Sequence, residues 1–144
     1  KCLKNAIRFK SDMKEAHNDL VMVLRKKGDN KAALKVCNHA LKSHNNDDTL
    51  HRNKGNILYA LDKPEEALES FEKALDLNPY VVDTWVNKGT VLWKEMGNRE
   101  DALAAFDKAL EINPNFMGAV DSRISLEAEI KANRPSFFKR LFGG

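Results

Sequence analysis

KPEEALESFEKALDLNP (residues 63–79) and REDALAAFDKALEINP (residues 99–114) are the stretches whose reading decides the fold. Both place Ala, Phe and Ala at i, i+4 and i+7, as Ala67, Phe71, Ala74 and again as Ala102, Phe106, Ala109, which is one face of an α-helix. Alanines on that face let a second helix approach closely, and the phenylalanine fills the space between the two backbones. Pro79 and Pro114 close the segments, because proline lacks an N–H and clashes with the preceding turn.

Working outward, the pattern recurs. A shift of 34 residues aligns Ala33 with Ala67, Ala40 with Ala74, Leu24 with Leu58 and Gly28 with Asp62. The same shift aligns Gly55 with Gly89, Leu58 with Leu92 and Tyr59 with Trp93. Beyond that point the spacing becomes 35, which locates one inserted residue near Met96, Gly97 and Asn98, in a turn that absorbs it. Gly55 and Gly89 fall inside helices, where glycine costs up to about 1 kcal/mol relative to alanine. A close helix contact at each is the expected compensation.

A helix pair repeating every 34 residues, with these residue types, resembles the tetratricopeptide repeat family. One copy carries Trp85, Gly89, Leu92, Ala102, Phe106, Ala109 and Pro114. The copy before it has Gly55, Leu58, Ala67, Phe71, Ala74 and Pro79, with His51 in place of the first aromatic. The earliest is degenerate, with His17, Val21, Leu24, Ala33, Cys37, Ala40 and Asn45, and Val21 for glycine predicts looser helix packing there. The resemblance implies an all-α, right-handed α-solenoid of about three helix pairs. Residues 1–11 read as the second half of a truncated upstream repeat. Residues 12–45 form the degenerate repeat, and 46–81 and 82–116 form two further repeats. Residues 117–133 form a capping helix, with Phe116, Val120, Ile124, Ala128 and Ile130 as its apolar positions, and 134–144 a basic-aromatic tail.

Composition narrows the function classes. A net charge of +3 is too mild to indicate nucleic acid, and no apolar run approaches the roughly 18 residues that a membrane span requires. Cys2 and Cys37 lack metal-type spacing and are too few for a disulfide framework, so a reducing, cytoplasmic setting is expected. His17, His39, His44 and His51 accompany no metal or nucleophile motif, although His44 and His51 straddle a turn and can approach one another. Cys37 stands in the slot of Phe71 and Phe106 and reads as core. No enzyme, no cofactor and no metal are expected.

The expected function is a protein–protein interaction scaffold whose concave groove, made by successive first helices, holds a peptide or protein segment. The resemblance implies groove positions at Asn18, Met22, Arg25, Lys26, Arg52, Asn56, Tyr59, Val86, Asn87, Thr90, Trp93 and Lys94. Of these, Arg25, Arg52, Asn56, Tyr59, Asn87, Trp93 and Lys94 are the candidate binding residues, with Tyr59 and Trp93 turned away from the core. Some family members grip the C-terminal carboxylate of heat-shock chaperones with basic residues and asparagines from three repeats. Arg52, Asn56 and Asn87 match that pattern; Gly118 and Ser122 stand where its last two basic residues belong, and Arg123 is displaced from them. Three of five positions do not make that clamp, but they suit anchoring of backbone or carboxylate groups. The alternative is structural self-assembly, with a homo-oligomer built through repeat ends or through the tail, where Phe138, Leu141 and Phe142 share one face.

Overall fold

The computed structural model describes residues 2–133, with side chains from residue 13 onward. Seven α-helices follow one another: α1 (Cys2–Lys26), α2 (Asn30–Ser43), α3 (Asp48–Ala60), α4 (Pro64–Leu77), α5 (Val82–Lys94), α6 (Arg99–Ile112) and α7 (Met117–Asn133). No strand occurs among the described residues. The tail residues Phe138, Leu141 and Phe142 lie outside the described residues.

Consecutive helices pack as antiparallel neighbours, and α1 with α2, α3 with α4 and α5 with α6 form the pairs. Across repeats α1 touches α3, α3 touches α5 and α5 touches α7, whereas α2, α4 and α6 do not touch one another. An array whose first helices converge and whose second helices splay curves with the first helices inside. The chain is a helical-repeat solenoid.

Local signals set the helix ends. The side chains of Asp29, Asp47 and Asn98 accept from the backbone N–H groups of Ala32 (3.0 Å), Leu50 (3.1 Å) and Asp101 (3.2 Å), capping α2, α3 and α6. Pro64 opens α4, where its missing N–H costs nothing. Each first helix of a pair ends on a residue in the left-handed region: Gly28 (φ 79°), Asp62 (φ 61°) and Gly97 (φ 64°). Equivalent rings tie α3 and α5 to the chain before them. Trp85 Nε1 donates to the carbonyl of Pro79 at 2.8 Å, and His51 Nε2 donates to that of Asn45, also at 2.8 Å. His51 thereby keeps the hydrogen bond of the tryptophan that it replaces.

Gly55 and Gly89 meet the rings across each pair. A Cβ on Gly55 would stand 2.6 Å from Phe71 Cε1, and one on Gly89 would stand 2.6 Å from Phe106 Cε1. In the first pair Val21 and Cys37 are both 0% exposed, so the larger residue on α1 meets a smaller one on α2. Helices α1 and α2 share less close backbone contact than the later pairs, as Val21 requires, yet the valine fills the space.

Two expectations need correction. The division expected at residue 11 is no break: α1 runs unbroken from Cys2 to Lys26, because no glycine or proline interrupts the helix before Gly28. The apolar face of α7 is also different. Ala119 and Leu126 are buried and Ile130 packs beside Leu92 and Phe106, while Ile124 is 58% exposed and Ala128 is exposed. Leu126 lies 34 residues beyond Leu92, so α7 continues the register of the first helices and seats that slot against α6.

Candidate functional site

The inner face is built by α1, α3 and α5, and two side-chain amide bridges cross it. Asn53 Nδ2 donates to Asn18 Oδ1 at 3.2 Å, and Asn87 Nδ2 donates to Asn56 Oδ1 at 2.9 Å. Asn53, which is buried, was not among the sequence candidates; its only signal is an asparagine 34 residues before Asn87. The Asn56–Asn87 bridge leaves the Asn56 amide N–H groups and the Asn87 amide oxygen for a ligand. Arg52 stands one turn before Asn56 and is half-buried.

The aromatic candidates behave differently from each other. Tyr59 is exposed, and its hydroxyl donates to Glu95 Oε1 at 3.3 Å. Partial burial, then the charge and hydrogen bond of Glu95, push the Tyr59 phenol above its ordinary pKa. Trp93 is half-buried and packs on the cluster of Leu92, Ala102, Phe106 and Leu126, meeting Phe106 edge to face at 6.4 Å between ring centroids. It is therefore not turned away from the core. Its Nε1 donates to Glu129 Oε2 at 2.7 Å, while Arg99 donates to Glu129 Oε1 at 2.8 and 2.6 Å. Those hydrogen bonds hold the Glu129 carboxyl below the usual carboxylate range, with the Trp93 contact first and the Arg99 contacts next. Lys94 Nζ sits 3.4 Å above the Trp93 ring centroid, a cation–π contact that ties up the cation.

The remaining positions divide cleanly. Thr90 turns its hydroxyl back to the carbonyl of Val86 at 2.9 Å. Met22, Arg25 and Lys26 line a cleft of about 320 Å³ with Asn30 and Ala60. Arg123 donates to Asp107 on α6 at 2.6 Å and lies 3.2 Å from Glu127, so it is committed away from the groove. A larger cleft, about 570 Å³, opens between the splayed helices α4 and α6, with Leu68, Trp85, Lys88 and Lys108 among its walls. Of the histidines, His17 rather than His51 meets His44, at 6.4 Å between ring centroids, and it also lies 6.2 Å from His39. Among the described residues no group of three His, Cys, Asp or Glu is placed to hold a metal ion. Cys37 is buried, and its thiol donates to the Leu50 carbonyl at 3.2 Å.

An α-solenoid with a polar inner face defines a class of helical-repeat proteins. Sequence profiles of the tetratricopeptide repeat match residues 49–80 and 82–116, and the chain belongs to the tetratricopeptide repeat family. No curated protein sequence matches it. Among solved structures it is similar to the first tetratricopeptide domain of Spaghetti (RPAP3) bound to the HSP90 peptide SRMEEVD. That likeness has a TM-score of 0.78 at 16% identity and covers 82% of this chain and 93% of that one. It is also similar to YrrB, a tetratricopeptide protein with an unusual peptide-binding site (TM-score 0.71, 29% identity, 76% of this chain and 56% of that one). A third is the Yersinia enterocolitica type III secretion chaperone SycD in complex with a peptide of the translocator YopD (TM-score 0.76, 14% identity, 82% and 95%). The family and these likenesses make the chain a protein-interaction scaffold. Among the described residues no helix is long and apolar enough to cross a membrane.

Proposed function

We propose that the inner face of α1, α3 and α5 binds an extended peptide or protein segment, with Arg52, Asn56 and Asn87 anchoring its backbone or carboxylate groups and Tyr59 packing against its side chains. The observation that carries this reading is the Asn56–Asn87 bridge at 2.9 Å beside Arg52, a fixed row of donors and acceptors on the converging side of the array. The peptide complexes of Spaghetti and SycD, on the same fold, support it. Trp93 and Lys94 contribute by rigidifying the floor between α5 and α7 rather than by open contact. The role is a scaffold in the cytoplasm, not an enzyme, a setting that suits the unpaired buried thiol of Cys37.

The test compares two double variants in affinity capture from the source organism. Asn56→Ala with Asn87→Ala should lose the partner, whereas Leu68→Ala with Lys108→Ala, on the outer cleft, should retain it. Loss from the outer variant alone would refute the groove assignment.

A second reading, self-assembly, is favoured by a separate feature. Met13, Leu20 and Val23 lie on one side of α1 and are 44%, 47% and 46% exposed. Solution mass measured with Leu20→Glu and Val23→Glu, and separately after removal of residues 135–144, tests it. A monomeric mass for the unaltered chain removes this reading.

A further inference from the structure

Of the arginines with described side chains, Arg99 and Arg123 pair with carboxylates and Arg25 and Arg52 do not. The unpaired two face one another across the junction of the first and second repeats. Arg52 Nε is buried with no hydrogen-bond partner among the described residues. A guanidinium has five donors and no acceptor, so a buried Nε–H without a partner is costly unless a ligand supplies an acceptor. Burial, and next the like charge of Arg52, hold Arg25 below its ordinary pKa. Arg25 itself reaches only Met22 Sδ, at 3.9 Å, and lines the open cleft with Met22, Lys26, Asn30 and Ala60.

We propose that Arg25 and Arg52 form a seat for a carboxylate of an acidic partner segment, with Met22 and Ala60 receiving an aliphatic side chain next to that carboxylate. This rests on the groove reading and names the chemistry of its ligand. A carboxylate oxygen between the two guanidiniums would satisfy the Arg52 Nε–H and relieve the repulsion between like charges, and each is a gain absent from the free protein. The seat lies on the α1 side of the anchor formed by Arg52, Asn56 and Asn87, so a bound segment would place its acidic residue over the first and second repeats. Lys94 adds nothing to it, being held on Trp93.

Three fluorescein-labelled octapeptides test the seat at low salt by anisotropy, with the Arg Nε–H resonances followed by NMR. The first is Gly-Ser-Glu-Met-Glu-Leu-Ser-Gly with both ends blocked. The second replaces both glutamates with glutamine, and the third is that glutamine peptide with a free C-terminal carboxylate. The blocked glutamate peptide should bind about tenfold more tightly than its glutamine form, and Arg25→Gln or Arg52→Gln should each remove most of that difference. The Arg52 Nε–H resonance should shift on binding, and circular dichroism should show both variants retaining their helices. Restored binding by the third peptide would assign the carboxylate to a chain terminus; its failure to bind would assign it to a side chain. Equal affinity for the blocked glutamate and glutamine peptides, unaltered in the arginine variants, would overturn the seat and leave the groove reading standing. No binding by any peptide, with an unmoved Arg52 Nε–H resonance, would overturn both.

Discussion

Exchanging one repeat's core pair for another's is the sharpest test of how the helix pairs are held. In the second repeat Gly55 lies under Phe71, and an added Cβ would stand 2.6, 2.7 and 2.9 Å from three atoms of that ring. The ring is 1% exposed and cannot swing into solvent. Gly55→Val therefore overpacks the contact and should cost about 1–3 kcal/mol, even though valine is the better helix former. Phe71→Cys empties the same contact and should cost about 3 kcal/mol, toward the lower end of phenylalanine truncations. Val21 with Cys37 shows that the two errors cancel, because both are fully buried in the first repeat. The double variant should then cost roughly 2 kcal/mol against a sum near 5, a coupling of about 3 kcal/mol. Urea unfolding followed by circular dichroism on the four proteins of the cycle measures this. A coupling within about 0.5 kcal/mol of zero would show that glycine and ring are not matched and that the packing argument is wrong.

Other outcomes follow from single residues. Asp62 holds φ 61°, where Gly28 and Gly97 close the equivalent helices, so Asp62→Gly should stabilise the chain by roughly 0.5–1 kcal/mol, read as a higher urea midpoint. Burial first, then Asp47, against an opposing effect of Lys54, raises the Cys37 thiol from 9.0 to about 11. The unfolded thiol ionises near 9 while the folded one stays protonated. Stability from this group is thus complete below pH 9 and is lost as pH rises through about 11, by roughly 2–3 kcal/mol in all. Comparing the pH dependence of unfolding with that of Cys37→Ala isolates this slope; identical slopes would contradict it. Glu129→Ala should free the indole of Trp93 and the guanidinium of Arg99, loosening α7 and shifting tryptophan emission to the red. Because the Glu129 carboxyl is held low, its stabilising contribution is present above the ordinary glutamate pKa and fades as pH falls through the lowered value.

Much of the fold was legible because its signals are local. Ala67, Phe71 and Ala74 define a helix face within eight residues, Pro64 and Pro79 bracket it, and the 34-residue return of Gly55 at Gly89 gives the period. Those features act through one turn of backbone or one helix contact, and they survive being read one at a time. The continuity of α1 across residue 11 was equally open to that reading, since nothing in the stretch breaks a helix, but repeat spacing suggested a boundary there.

The candidate site was legible only as a set of positions. Arg52, Asn56 and Asn87 lie on the face that the period predicts, yet the 2.9 Å bridge between the two asparagines depends on how α3 and α5 cross. Trp93 looked like an open groove residue because its position matches Tyr59, but Phe106 and Glu129 draw its ring against the core. Glu129 looked like a free groove charge until Arg99, 30 residues away, met it. By itself the sequence determined the helices, their pairing and the inner face, since periodicity and glycine–ring matching are properties of neighbouring turns. Only the tertiary structure decided which charges on that face are neutralised and which are left for a partner, because ion pairing depends on distances between side chains that no local pattern records. Arg25 and Arg52 are the result: two cations made neighbours by stacking, with no carboxylate of the described chain between them.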